Sequence, residues 1–494
     1  MKRTADFLLL LILSTGFSHL IAQPIDVQIK FLSTGGSDEA RSIEQTEDGG
    51  YIITGWTSAF GGIEDAYLLK LNKFGDMEWS NHWGGQTLDN GQFVQQTMDK
   101  GFIVIGQTYS FGGGGSDLWL IRTDSSGKTI WDKTFGNFEN DIGYCVRETD
   151  DGGFITIGGL AFSAGAITNV WIQKINSSGN LIWSKTYARN QYNIGYSIAQ
   201  TSDGNFIAAA FTTDPISHND FWLMKLNSNG DTLWTKTFPE SLTDVPFDIE
   251  ETNDKGFILA GYTQSFGTGS TDFFLIKVDS LGNEMWNRTY GGALEEEAHS
   301  VKQAIDGGYV IAGWTRSFGA GDYDMYIVKT DKDGNLQWSQ TYGKSHTDKA
   351  YSVTLTPDNG FVVTGSGFRE GRFVMPLIKF APISNEDILS VNKLIYSDSN
   401  EIKTSADFDF SLAQNYPNPF NPATIISWEM PVTSFTTLKV YDVLGNEITT
   451  LVNEEKPAGR YEINFEANNL SSGVYYYRIT TGNFTQTKKM ILMR

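Results

Sequence analysis

The sequence predicts an all-β chain in two parts, a seven-fold ring followed by a small sandwich, and three observations carry that reading. First, a phrase beginning "DGGYIITG" recurs seven times, starting at Asp48, Asp99, Asp151, Asp203, Asp254, Asp306 and Asp358, always 51 or 52 residues apart. A sustained period of that length marks a repeat architecture. Second, each unit holds four short runs rich in Val, Ile, Tyr and Trp; in the sixth they are "AHSVKQA", "YVIAGWT", "DMYIVKT" and "LQWSQTY". Runs this short are strands. The Gly and Asp/Asn residues between them supply the positive φ that hairpin turns need. Four strands per unit, repeated about an axis, make a blade of a seven-bladed β-propeller. Third, the beat stops after Phe380, and the last stretch alternates strand-like runs without repeating. A solenoid is the structural rival for the repeats; the ends lack the distinct capping units it would need.

In chain order, the first element is a leader. Lys2 and Arg3 precede the apolar run Phe7 to Leu13, and Ala22 offers a cleavage point before Gln23. That is the pattern of a secretory signal peptide over 1–22. The run is shorter than the ~20 apolar residues of a membrane span, so the chain is not expected to be transmembrane. The propeller is assigned to 23–380. Its opening run, "DVQIKFLSTGG", has no unit of its own, and the seventh unit stops after its third strand, "MPLIKFA". The N-terminal strand is therefore expected to complete the last blade as a clasp, removing two sheet edges that would invite aggregation. Lys30 stands there in the register where other units carry tryptophan.

Those tryptophans are Trp79, Trp131, Trp183, Trp234, Trp286 and Trp338, each closing a phrase such as "DSSGKTIW". They are expected on outer strands, docked on the neighbouring blade, where burying a large aromatic stabilises by roughly 1.5–3 kcal/mol. A second aromatic follows four residues later, at Trp83, Phe135, Tyr187, Phe238, Tyr290 and Tyr342. Six copies of both argue for packing, since one ligand site would not need six.

Composition narrows the function. A formal net charge of -21 argues against a nucleic-acid partner, which wants a basic face. The single cysteine, Cys145, rules out an intrachain disulfide and reads as a small buried hydrophobe. Beyond the leader, His82, His218, His299 and His346 lie far apart without ligand spacing. "TDKDGN" at Asp331 lacks the downstream glutamate of a calcium loop. There is no nucleophile elbow and no phosphate-binding loop. No catalytic residue, metal or cofactor is expected, and the ring reads as a binding or scaffold module rather than an enzyme. Specificity normally sits in variable loops on a rigid ring, and here the interblade loops vary most. Trp56, Tyr262 and Trp314 share one register near that face; they are candidate sugar-stacking platforms, with interblade packing as the other reading. The expected ligand is a surface polysaccharide or another protein.

Two resemblances add to this. "DSSGKTIW", through Asp124, Gly127 and Trp131, resembles the tryptophan-docking motif of pyrroloquinoline-quinone dehydrogenases. Those enzymes resemble longer eight-bladed rings, many with a vicinal cysteine pair, whereas this chain has seven units and one cysteine; a quinoprotein-like or glycan-active enzyme remains the runner-up. After a polar linker at 381–409, residues 410–494 fit an immunoglobulin-like sandwich. They resemble the C-terminal sorting domain of type IX secretion cargo. The resemblance is carried by "NYPNPFNP" (with Pro417, Asn418, Pro419 and Phe420), "LKVYDVLGNEI", "LSSGVYYYRI" (Gly473 and Tyr475) and "TKKMIL" (Lys488 and Lys489). It implies export through the periplasm, recognition by the type IX machinery, and a secreted or outer-membrane-surface destination.

Overall fold

The computed structural model describes residues 27–380, apart from 164–166, 214–217 and 239–241, and most of 411–493. The leader 1–22 and the linker 381–409 lie outside the described residues. The described residues form two units.

The first unit is a β-propeller of seven four-stranded antiparallel sheets. Blades 1 to 6 run in chain order from the innermost strand to the outermost. Blade 7 is finished by the N-terminus: Val27–Leu32 pairs with Arg372–Phe380, Val27 opposite Phe380 and Leu32 opposite Met375. The inner strands of blades 1 and 7 then meet. There the Ile43 N–H donates to Ser352 Oγ at 3.2 Å and closes the ring. Second and third strands are sandwiched between neighbouring blades, so both faces must be apolar; Tyr309–Thr315 and Asp324–Thr330 are buried throughout. Outer strands such as Thr129–Phe135 have one face in solvent and alternate accordingly.

Each docking tryptophan lies on the next blade. The Trp79 ring sits 5.8 Å from Phe102 and covers Gly127 in the following unit's turn. Gly127 has φ +83, and a Cβ there would fall 2.5 Å from the indole, so both the turn and the contact require glycine. Trp131 on Gly179, Trp183 on Gly230, Trp234 on Gly282 and Trp286 on Gly334 repeat the contact. Blade 7 has no such turn, and Trp338 instead packs on Phe361 and Phe380, buried at 7% exposure. At the clasp, Lys30 replaces the indole, lying over Gly75 and pairing with Asp76 at 2.5 Å.

Sequence reading missed two further devices. In all seven units the aspartate that opens the "DGG" phrase pairs with a basic residue of the third strand. The pairs are Lys70–Asp48 (2.8 Å), Arg122–Asp99 (2.5 Å), Lys174–Asp151 (2.7 Å), Lys225–Asp203 (3.1 Å), Lys277–Asp254 (3.0 Å), Lys329–Asp306 (2.7 Å) and Lys379–Asp358 (3.7 Å). Inner strands are also tied to each other by side chain to backbone bonds. Ser42 Oγ accepts from Val94 N and Ser300 Oγ from Val353 N, both at 3.3 Å. Further down, Glu44 accepts from Gln96 N and Gln95 from Glu148 N.

The second unit is a β-sandwich. Strands Ser411–Leu412, Ala423–Met430 and Gly459–Glu466 form one sheet; Glu447–Lys456, Ser434–Tyr441, Gly473–Thr481 and Phe484–Leu492 form the other. They share a core that includes Phe420, Trp428, Leu438, Tyr477 and Met490. Seven short antiparallel strands in two sheets make the immunoglobulin-like arrangement.

Candidate functional site

The ring's channel is built by one irregularity repeated seven times. Every inner strand carries a bulge, with register shifts at Ala40/Ser42, Gly91/Phe93, Gly143/Cys145, Gly195/Ser197, Pro246/Asp248, Ala298/Ser300 and Ala350/Ser352. A bulge leaves one residue unpaired and re-aims its side chain. The unpaired residues are Arg41, Gln92, Tyr144, Tyr196, Phe247, His299 and Tyr351, and they form a belt around the channel. Ring centroids run Tyr144–Tyr196 4.6 Å, Tyr196–Phe247 5.0 Å, Phe247–His299 4.4 Å and His299–Tyr351 5.2 Å, with the Arg41 guanidinium 4.4 Å above Tyr351.

The belt borders a cavity of about 350 Å³. Small polar residues of the next position, Ser42, Cys145, Ser197, Asp248, Ser300 and Ser352, line it, with Glu44, Arg147 and Lys302 toward the "DGG" face. Asp248 is heavily bonded: it accepts from Ser197 Oγ (3.0 Å), Ser300 Oγ (3.3 Å), Val301 N (3.1 Å) and Lys302 Nζ (3.3 Å). Burial raises the carboxyls of Glu44 and Glu250 above the ordinary glutamate range. Burial would lower Lys302, but Asp248 and Glu250 outweigh it and hold the ammonium charged. Burial lowers His299, whose Nε2 receives the Trp314 indole N–H at 3.2 Å; that donation assigns the proton of the neutral imidazole to Nδ1. Among the described residues no three His, Cys, Asp or Glu gather so as to hold a metal ion, and no helix is long and apolar enough to cross a membrane.

None of Trp56, Tyr262 and Trp314 lines the cavity. They stand behind the belt: Trp56 Nε1 donates to Glu39 (3.2 Å), Tyr262 packs on Phe247 (5.9 Å), and Trp314 holds His299. Trp314 is buried, with Lys349 over its face at 4.2 Å. Sequence reading missed the belt because its seven residues differ in kind. The signal available was the register itself, two residues before an invariably apolar position from Ile43 to Val353.

Cys145 is 2% exposed and its Sγ donates to the Ile198 carbonyl at 3.6 Å. Burial raises its thiol, and the thiolate is the reactive form. A thiol reagent at pH 7.5 is expected to leave the native chain unmodified and to label one thiol after denaturation; rapid native labelling would contradict the burial.

In the C-terminal module the motif residues act as fasteners. Asn418 clips the last strand, its Nδ2 donating to Lys489 O (3.2 Å) and its Oδ1 accepting from Ile491 N (2.8 Å). Phe420 N donates to Ile491 O, Met493 N to Phe420 O, both at 2.9 Å, and the phenyl ring is buried in the core. Tyr475 donates its hydroxyl to Ser471 O at 2.8 Å, a bond back to the preceding corner that immunoglobulin-like domains use. Gly473 begins that strand opposite Leu492, while Lys488 and Lys489 pair in register with Tyr477 and Tyr476. Pro417 and Pro419 lie outside the described residues.

The family model described as "Secretion system C-terminal sorting domain" matches residues 414–493. The C-terminal module is a type IX secretion sorting domain. The sorting domain thus directs the chain to the cell surface or the medium and implies contact with the type IX machinery. Elsewhere similarity is low. The regulatory protein FlaEY of Caulobacter vibrioides is 21% identical over 289 residues, 50% of this chain and 29% of that protein; the chain spans under a third of that relative's length. Among solved structures, PorZ, a surface component of the type IX system of Porphyromonas gingivalis, is 11% identical, with 90% of this chain and 58% of that one covered and a TM-score of 0.39. YCF48 bound to D1 peptide is likewise 11% identical, covering 74% of this chain and 99% of that one, TM-score 0.39.

Proposed function

We propose that this chain is an exported binding protein: the sorting domain carries it to the surface, and the ring holds a ligand at its channel without chemistry. The observation that carries this reading is the aromatic belt beside a cavity of about 350 Å³, since ligand sites are concave, largely apolar and furnished with few polar groups. The state of the nearby carboxylates supports binding over catalysis. Glu39 is held by Arg41 at 2.5 Å and by Trp56, and Asp248 has five donors, Ser197, Ile249, Ser300, Val301 and Lys302. A general acid–base pair needs carboxyls free to reach a substrate proton.

Fractionation of a type IX-competent host tests the export half. The full chain should be accessible to protease on intact cells or found in the medium, and a chain lacking 410–494 should stay in the periplasm. If the truncated chain still reached the surface, the sorting domain would not be its route. The channel half is tested by replacing Tyr196 with Ala, which should abolish ligand-induced thermal stabilisation while leaving export unchanged.

A further inference from the structure

Arg147 sits on the inner strand of blade 3, lines the cavity and stacks on Phe93 with its guanidinium carbon 4.3 Å from the ring centroid. Among the described residues no carboxylate oxygen lies within 4 Å of it and no hydrogen bond is made by its head group. The nearby acids are engaged elsewhere. Asp248 serves Ser197, Ser300, Val301 and Lys302; Glu250 accepts from Gln303 N at 3.1 Å; Glu44 accepts from Gln96 N. Arg147 feels all three only across the channel. A guanidinium carries five N–H donors in a planar fork matched to a carboxylate, and the half-buried Arg147 head group at the cavity wall keeps those donors available to a ligand.

Resting on the reading of the channel as a ligand site, we infer that it takes a small ring compound bearing one carboxylate, the ring against the aromatic belt and the carboxylate on Arg147. Three features set the class. Flat faces in the belt favour a ligand with an apolar face, whether a sugar ring or an aromatic one. A cavity of about 350 Å³ is at the small end of ligand pockets, which suits one ring. Charge sets the last: Arg41, Arg147 and Lys302 line the cavity with Glu44 and Asp248, and Arg147 is the cation of the three with no bonded acid among the described residues. Arg41 is spent on Glu39 and Lys302 on Asp248.

The test uses the mature full chain and calorimetric titration with four probes: glucuronate and benzoate as the sugar and aromatic acids, methyl glucoside and benzyl alcohol as their neutral counterparts. At least one acid should bind ~tenfold more tightly than its neutral counterpart, the weight of one charge-assisted bidentate contact. That preference should fall to within about twofold in Arg147→Gln. If this variant fails to fold, Arg147→Lys, which keeps the charge and loses the fork, should reduce the preference several-fold. Which acid wins identifies the ring. Equal binding of acids and neutral counterparts, indifferent to Arg147, would overturn the carboxylate assignment and leave the channel reading intact. If no probe binds at ~10 mM, the channel itself is not a small-ligand site and both fall together.

Discussion

A chain lacking residues 23–32 should be strongly destabilised and should associate, because Val27–Leu32 is the outermost strand of blade 7. Six residues, Val27 to Leu32, supply the ladder to Arg372–Phe380. Without them that strand offers a row of unpaired N–H and C=O groups, the template through which sheets join edge to edge. Side-chain contacts go as well. Leu32 packs against the core cluster that spans blades 7 and 1, Phe31 stacks under the Arg369 guanidinium at 4.8 Å, and Lys30 pairs with Asp76; all three contacts are lost. The cost should be on the order of 3 kcal/mol or more, a large share of the 5–15 kcal/mol a folded domain commands. Chemical unfolding monitored by tryptophan fluorescence reads the loss, and size-exclusion chromatography reads the association. A synthetic peptide covering residues 24–34 should restore the monomer. An unchanged midpoint in a monomeric truncated chain would mean the ring does not depend on its clasp.

How far the sequence went depends on whether a feature repeats as a residue type or only as a position. The ring, its seven blades and the clasp were legible because Asp48 to Asp358 and Trp79 to Trp338 recur as letters. Even the exception was legible: Lys30 in the tryptophan register does replace the indole, over Gly75. The Lys/Arg partners of the "DGG" turns were equally visible as letters, yet a basic residue in a strand reads as a solvated one until the fold lays it beneath the turn. The belt was not visible. Arg41, Gln92, Tyr144, Tyr196, Phe247, His299 and Tyr351 share only their place in a bulge, and a bulge needs the strand pairing to exist. Trp56, Tyr262 and Trp314 do share a register, but the paired strands set them one layer behind the cavity. In the sorting domain the motif letters found the module, while the fastening of Asn418 to Ile491 and of Tyr475 to Ser471 needs the folded chain.

Six of the seven basic residues at the "DGG" turns, all but Lys379, are buried; they give the second large effect, and an asymmetry that distinguishes mechanism from mere contact. Asp151→Ala should cost about 2–3 kcal/mol at pH 7, because it strands the Lys174 ammonium, whose side chain is 7% exposed, with Thr149 as its remaining bond. It also removes the bond from Gly153 N that shapes the turn. The converse Lys174→Met should cost less, under about 1 kcal/mol: the apolar stem is kept, and an aspartate 61% exposed is left to water. The pH dependence follows from the carboxyl. Burial alone would raise Asp151, but the bonds from Lys174, Thr149 and Gly153 outweigh it and hold the pKa at about 2, against ~3.9 in an unfolded chain. Its contribution is therefore fully present above about pH 4 and lost as pH falls toward 2. Asp48 behaves alike, held at about 2 beside Lys70. The buried aspartates at the opposite ends of the blades have the reverse sign. Burial raises Asp117, Asp141, Asp244, Asp272, Asp324 and Asp348, so acid relieves a cost there while it removes a gain at the turns. Unfolding curves from pH 7 to pH 2 should show the Asp151→Ala deficit shrinking below pH 4. A deficit unchanged at pH 2 would assign the whole effect to the turn and none to the ion pair.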